Sequence, residues 1–361
     1  MAATLTEKPV NSRPTIRIDG MKKAVVDELL QSMSLHETAD GMAALELGLT
    51  DWVSRPGGNP EFAFGDGAIL KLGAEIKVYG GDISDPQEIF RGRISALESD
   101  CSVDSPPMIN VLAEDRLNRA RKTRRCETYE SATLEDIVRK IANRHDLKAV
   151  VKDLPSVKSD WVQLNESDLA FLRRVTSRFE VSIQVVGDEL QVKVFGAEPR
   201  GKLELRLNDK LLSVSITADL ADQAKEVSVS GYDTIKGSAT RQTATSGNLG
   251  PGNGRTGASL VESALNSGRS ENYGQFGDIA SDEAKAMSSA AFARRARRFV
   301  QARGLTEGNA ELRVGTWLTL KRVNPMFEGD YVVREAHHAF SVKTGYTTAF
   351  TAHSAYLRGT A

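Results

Sequence analysis

From Thr15 to about Ala120 apolar residues fall at every second position in short runs, and this alternation constrains the fold more than any other feature of the chain. In Glu75-Ile76-Lys77-Val78-Tyr79 and Ile109-Asn110-Val111-Leu112-Ala113 a period of two gathers the apolar residues on one face, as in strands with one side buried. Turn clusters at Arg55–Pro60, Gly80–Pro86 and Asp104–Pro107 separate such runs. Short, evenly spaced strands of this kind predict a small antiparallel barrel or sandwich over 14–119. The same texture returns at Leu203–Tyr232, Thr316–Val323, Gly329–Phe340 and Tyr346–His353. Residues 201–236 are too few to close a barrel, so 310–358 is expected to complete a second one, interrupted by the residues between.

The middle of the chain has a different period. Leu134, Ile137, Val138 and Ile141 share one helical face behind Thr133, a residue suited to accept amide hydrogen bonds at a helix start. A second helix is predicted over Ser167–Phe179, and Gly187-Asp188 between two alternating runs predicts a hairpin. Residues 120–200 therefore read as an α+β insertion. Residues 237–281 are rich in Gly, Ser, Thr and Asn and read as a long loop. Asp282–Arg303 is the longest helix candidate, closed by Gly304, and 282–309 is assigned to it. The polar residues 1–13 read as a flexible tail. The expected fold is mainly β: two antiparallel barrels, a small helix-containing domain and one long helix, in a chain of 361 residues that suits several cores rather than one.

Charge and motif content bear on function mostly by exclusion. Forty-seven basic against 48 acidic residues give a net charge of -1, no field for gathering nucleic acid, so no specific nucleic-acid partner is expected. Cys101 and Cys126 form neither a disulfide framework nor a zinc spacing and read as buried or half-buried thiols. The start lacks a signal-peptide core, and no run approaches the ~18 apolar residues of a membrane helix, so the chain is expected to remain soluble in the cytoplasm where it is made. There is no GxSxG, HExxH, Walker loop or strand-fed GxGxxG. Gly250, Gly252 and Gly254 precede no Lys-Ser/Thr pair, and His337 and His338 point to opposite faces of a strand. No catalytic residue, metal ligand or cofactor site is expected. Arg294, Arg297 and Arg298 cluster on one side of the long helix, either as a contact patch for an acidic partner or as a solvated face.

Thr128–Ala142 followed by Val162–Val175 resembles the late control protein D family of phages and the hub portion of type VI secretion VgrG proteins. The run Asn165-Glu166-Ser167-Asp168-Leu169-Ala170-Phe171-Leu172 matches the sentence that opens that family's second helix, with Leu134, Ile137 and Ile141 marking its first. Phe90–Ile94, Gly329–Phe340 and Gly345–Phe350 resemble its barrel strands, so the likeness covers about 15–235 and 283–355. It implies a structural baseplate hub of a contractile tail or injection machine, not an enzyme. Such a hub is a homotrimer whose two barrels per chain make a pseudo-sixfold ring between a hexameric tail tube and a trimeric spike. No spike follows the last strand, so a separate spike protein is expected, with the tail tube, other baseplate proteins and the tape measure protein as further partners. The place of action is then a virion tail or extracellular particle. Two alternatives stay open: Thr133–Arg144 also looks like the first helix of a peptidoglycan-binding LysM repeat, and a tail-associated wall hydrolase would share the context.

Overall fold

The structure is a computed structural model that describes residues 13–54, 58–81, 85–265 and 269–358; apart from Arg13, the tail expected at 1–13 lies outside them. Among the described residues strand outweighs helix, 49% against 18%, so the architecture is mainly β. The first part contains β1 (Thr15–Ile18), β2 (Met21–Lys22), α1 (Ala24–Leu29), β3 (Leu30–Thr38), β4 (Ala44–Thr50), β5 (Glu75–Gly80), β6 (Gln87–Asp100) and β7 (Met108–Asp115). The alternation read from the sequence becomes strict in-out burial in β5 and β7, whose inward residues Ile76, Val78, Ile109, Val111 and Ala113 enter one core with Ile16, Leu35 and Leu47.

The insertion follows as α2 (Asn118–Lys122), β8 (Arg124–Ala132), α3 (Leu134–Arg144), β9 (Lys148–Lys152), β10 (Ser159–Ser167), α4 (Asp168–Thr176), β11 (Val181–Val186) and β12 (Glu189–Val194). Thr133 caps α3 through a reciprocal box with Asp136. β11 and β12 form the hairpin around Gly187-Asp188, and β12 pairs in parallel with β9. Both helices bury their apolar faces in a second core that also takes in Val229, Ile279 and Met287 from beyond the insertion.

The chain continues through β13 (Lys202–Arg206), β14 (Leu211–Ala218), β15 (Glu226–Asp233), β16 (Ser238–Ala244), β17 (Arg255–Thr256), α5 (Gly257–Leu265), β18 (Ser270–Phe276) and α6 (Ser281–Arg297). It ends with β19 (Val300–Glu307), β20 (Trp317–Lys321), β21 (Gly329–Ser341), β22 (Gly345–Ser354) and β23 (Tyr356–Leu357). Three expectations are corrected here. Among its described residues the segment 237–281 is not one long loop: β16 and β18 flank β15 in a three-stranded sheet, with β17 and α5 between β16 and β18 in chain order. Backbone pairing to β15 and the cover of α6 order a composition that has little apolar surface of its own. The long helix ends at Arg297, and Val300–Glu307 is instead β19, a strand held between β14 and β22, where Val300 and Ala302 are buried at period two. Cys101 and Cys126 are both exposed.

Thirteen strands form one sheet, and within it the same six-strand pattern occurs twice among the described residues: β3-β4-β7-β6-β5-β1 and β14-β19-β22-β21-β20-β13. The irregularities recur with the order. β3 is bulged between Leu30 and Ser32, opposite Leu49 and Gly48; β14 is bulged between Leu211 and Ser213, opposite Thr306 and Leu305. β6 is bulged between Ile94 and Ala96, opposite Ala113 and Leu112; β21 is bulged between Val333 and Glu335, opposite Ala352 and Thr351. Even the bonds beside the bulges correspond. Ile94 exchanges backbone hydrogen bonds with Gly73 and Ala74 at 2.8 and 3.0 Å, and Val333 does so with Gly315 and Thr316 at 2.8 and 2.9 Å. The copies differ at one end, where β1 runs antiparallel to β5 but β13 runs parallel to β20. They join where the outer half of β21 pairs with β3, from Glu335 opposite Thr38 to Ser341 opposite Ser32. Neither copy closes into a complete barrel among the described residues; an isolated bridge from Leu207 to Leu211 is the pairing that comes nearest.

Candidate functional site

The motif at 165–172 builds the turn from β10 into α4. Asn165 takes a left-handed φ of 50°, and Ser167 caps the helix by accepting from the Ala170 amide at 3.3 Å. Asp168 is 1% exposed and saturated with donors: Arg144 at 2.8 Å, Gln163 at 3.0 Å, and His145 Nε2 at 2.8 Å, with Arg125 at 3.6 Å. Burial pushes its pKa up, but His145, Gln163 and Arg144 outweigh that and hold it at about 2. A carboxylate ionised this firmly is no proton carrier near neutrality. Glu166 pairs with Arg174 at 3.0 Å, and Leu169, Phe171 and Leu172 sit in the insertion core with Leu134, Ile137 and Ile141. Phe171 stacks on Tyr129 at 5.2 Å between ring centres. The motif therefore holds β8, β10, α3 and α4 together.

The arginines of α6 split between interior and surface. Arg297 is 2% exposed, its side chain 3.4 Å from Glu180, and Arg294 donates to Glu180 at 2.5 Å. Arg334 of β21 reaches the same carboxylate at 3.2 Å, and Phe195 takes Arg297 and Arg334 against its ring at 5.5 and 5.2 Å. Burial raises the Glu180 pKa, and the three guanidiniums bring it below the ordinary carboxylate range. Arg298 alone of the expected patch is exposed. Neither a solvated face nor a surface patch describes Arg294 and Arg297: they fasten α6 to the insertion and to β21. Sequence reasoning missed Glu180 because nothing near it in the chain marks it as their partner.

A second buried pair, Glu37 with Arg313, bridges the first strand group to the loop before β20, at 2.6 Å for one of its two bonds. Burial opposes ionisation of Glu37, yet Arg313 holds its pKa at about 2. His338 lies beside this pair with Nδ1 2.8 Å from the Tyr346 hydroxyl, its pKa lowered to about 3 by burial and by Arg313. His337 faces the other way, 2.8 Å from the Ser34 hydroxyl. A cleft of about 650 Å³ is lined by Arg91, Arg93, Glu114, Asp115, Arg116 and Asp188 among others. Several of its charges are paired: Arg116 with Asp188 and Arg121 with Glu114 at 2.7 Å inside the cleft, and Arg91 with Glu88 at 2.9 Å outside its lining. Burial pushes Asp115 up to about 6, but both its oxygens accept backbone amides, from Ala43 at 2.7 Å and Leu117 at 2.9 Å. Among the described residues no group of three metal-ligating side chains converges, and no helix is long and apolar enough to cross a membrane.

Likeness to known proteins bears on the fold. The chain superposes on the prophage MuSo2 43 kDa tail protein from Shewanella oneidensis with a TM-score of 0.65 at 10% identity, covering 95% of this chain and 98% of that one. A tail protein from Neisseria meningitidis gives 0.65 at 12% identity, covering 95% and 96%. The E. coli c3393 protein, a component of the type VI secretion system, gives 0.59 at 14%, covering 96% and 79%. At these identities the shared property is the fold. No curated protein matches the chain. The family described as the Alg8 N-terminal domain matches it over residues 13–341.

Proposed function

The chain belongs to the Alg8 N-terminal domain family, and from its tail-protein fold we propose that it is a structural hub of a contractile tail or related injection particle, of the late control protein D type. Three copies form a ring, each contributing two equivalent β units, so that six similar docking edges face a sixfold tail tube while the threefold axis suits a trimeric spike. The observation that carries this reading is the doubled six-strand pattern, with its matched bulges, inside one chain 95% of which follows the fold of tail proteins. In this reading each unit is one of the six repeats of the ring. The other baseplate proteins and the tape measure protein are partners of the assembled particle, and the chain works by matching symmetries without making or breaking a bond.

Light scattering tests it. At micromolar concentration the 39.2 kDa chain is expected to show about three times its own mass. A single-chain mass that persists after addition of the spike protein overturns the ring. Binding to purified peptidoglycan by that monomer would then favour a wall-binding role for the insertion.

A further inference from the structure

The junction that joins the two β units inside the chain has an unfilled counterpart. β21 gives its inner half to β20 and its outer half to β3. β6, its equivalent, gives its inner half to β5, from Gln87 to Arg93, but among the described residues nothing pairs with the same side of its outer half, Ala96 to Asp100. β14, the equivalent of β3, pairs with β19 along one side and stands at the end of the sheet along the other. The two open edges are thus the counterparts of the two edges that meet inside the chain.

Burial and amide direction agree. Met33, Leu35 and Glu37, which β3 turns inward under β21, are 2%, 0% and 6% exposed; their equivalents on β14, Val214, Ile216 and Ala218, are only half-buried. Ala336 of β21 is 1% exposed, whereas Leu97, its equivalent on β6, is half-buried. The bond from the Asp219 amide to the Phe299 carbonyl at 2.9 Å turns the odd-numbered residues of β14 toward β19, so the amides of Val214, Ile216 and Ala218 face outward. On the filled side, the bonds Ala39 to Arg334 at 3.1 Å and Val342 to Gln31 at 3.2 Å set the same phase for β3 on β21.

We infer that β14 of one copy adds antiparallel to the outer half of β6 of a second copy, in the register that β3 takes on β21. Ala218 then lies opposite Leu97, Thr217 opposite Glu98, Ile216 opposite Ser99 and Ser215 opposite Asp100. Main-chain hydrogen bonds supply the affinity, and no like charges are opposed. Each chain carries one edge of each kind, so the contact is head-to-tail and propagates until a ring closes. The inference rests on the ring proposed above and supplies its interface. The unpaired edges are otherwise a hazard, softened in the free chain by Glu98 and Asp100.

Cysteine cross-linking of the full chain tests the register, in a background with Cys101→Ser and Cys126→Ser. Thr217 and Glu98 would form a non-hydrogen-bonded pair, with Cα atoms about 4.5 Å apart, within reach of a disulfide. Oxidised chains carrying both Glu98→Cys and Thr217→Cys should give dimer and trimer bands on a non-reducing gel, and a mixture of the two single variants should give dimers only. Ser99→Cys with Thr217→Cys, whose side chains lie on opposite faces, should cross-link at most weakly. Ile216→Pro removes an outward amide and should weaken assembly by about tenfold or more while leaving the far-ultraviolet circular dichroism unchanged. A trimer mass without the cross-link overturns this pairing and leaves the ring standing. Equal cross-linking through Ser99→Cys overturns the register. A single-chain mass with no cross-link overturns pairing and ring together.

Discussion

Glu180 shows how a buried charge can be needed without being reactive. It is 7% exposed and faces Arg294, Arg297 and Arg334, contributed by α6 and β21. Removing the one carboxylate strands Arg297 in the interior, where an uncompensated charge costs about 3–5 kcal/mol. Glu180→Gln should lower the stability by that order in urea unfolding; a loss below about 1 kcal/mol would mean that water or another acid reaches Arg297. The motif at 165–172 was legible as a helix start because its signals are local: Ser167 caps, and Leu169 and Leu172 share a face. The fate of the α6 arginines was not legible. Arg294, Arg295 and Arg297 in an alanine-rich helix, with Arg298 just past its end, have the composition of a wet face, and the partner of Arg294 and Arg297 is far away in sequence.

Among the elements, β19 is where local preference and the final structure part most clearly. Gln301-Ala302-Arg303 continues the helix-favouring text of α6, but the edges of β14 and β22 claim the segment for the sheet. Gly304, taken from sequence as a helix stop, lies inside this strand, where an added Cβ would meet the Phe350 ring at 2.5 Å and the Ser213 carbonyl at 3.1 Å. Gly304→Ala should therefore cost about 1–3 kcal/mol by overpacking, read as a fall in melting temperature, whereas a helix-end glycine would lose a left-handed φ instead. The polar strands β16 and β18 escaped sequence reading for a related reason. Their pairing with β15 orders them, and neither carries the alternating apolar set that marks β5 or β7.

For the molecule as a whole, several buried groups tie stability to pH. His338 and His353 have pKa values lowered to about 3 and about 4, so between those values and the ordinary 6.5 the unfolded chain holds protons that the fold excludes, and stability falls as pH drops through that range. Asp115, raised to about 6, works the other way between about 6 and its ordinary 3.8, as does Glu283, also raised by burial, against three histidines once His337, likewise lowered, is counted. Below about 4.5 the loss should steepen, because Glu37 and Asp168, both held at about 2, give up their favourable ionisation. Unfolding midpoints measured from pH 7 to 3 should decline gently and then sharply; a rise from pH 6.5 to 5 would contradict the histidine assignment. The alternating text predicted two β units, but their strand-for-strand equivalence could not be read from residue identities, since the hairpins β6–β7 and β21–β22 share bulge and register but little sequence. Backbone geometry carries the repeat.

Those hairpins differ in one respect. Cys101–Pro107 links β6 to β7, while only Val342, Lys343 and Thr344 link β21 to β22. Around a ring of three chains the longer connection would alternate with the shorter one, like a crown with three tall points and three low ones. Such a rim tells one-third of a turn from one-sixth, so a threefold object seated against it would settle in three equivalent orientations instead of six, even though the strands beneath repeat six times.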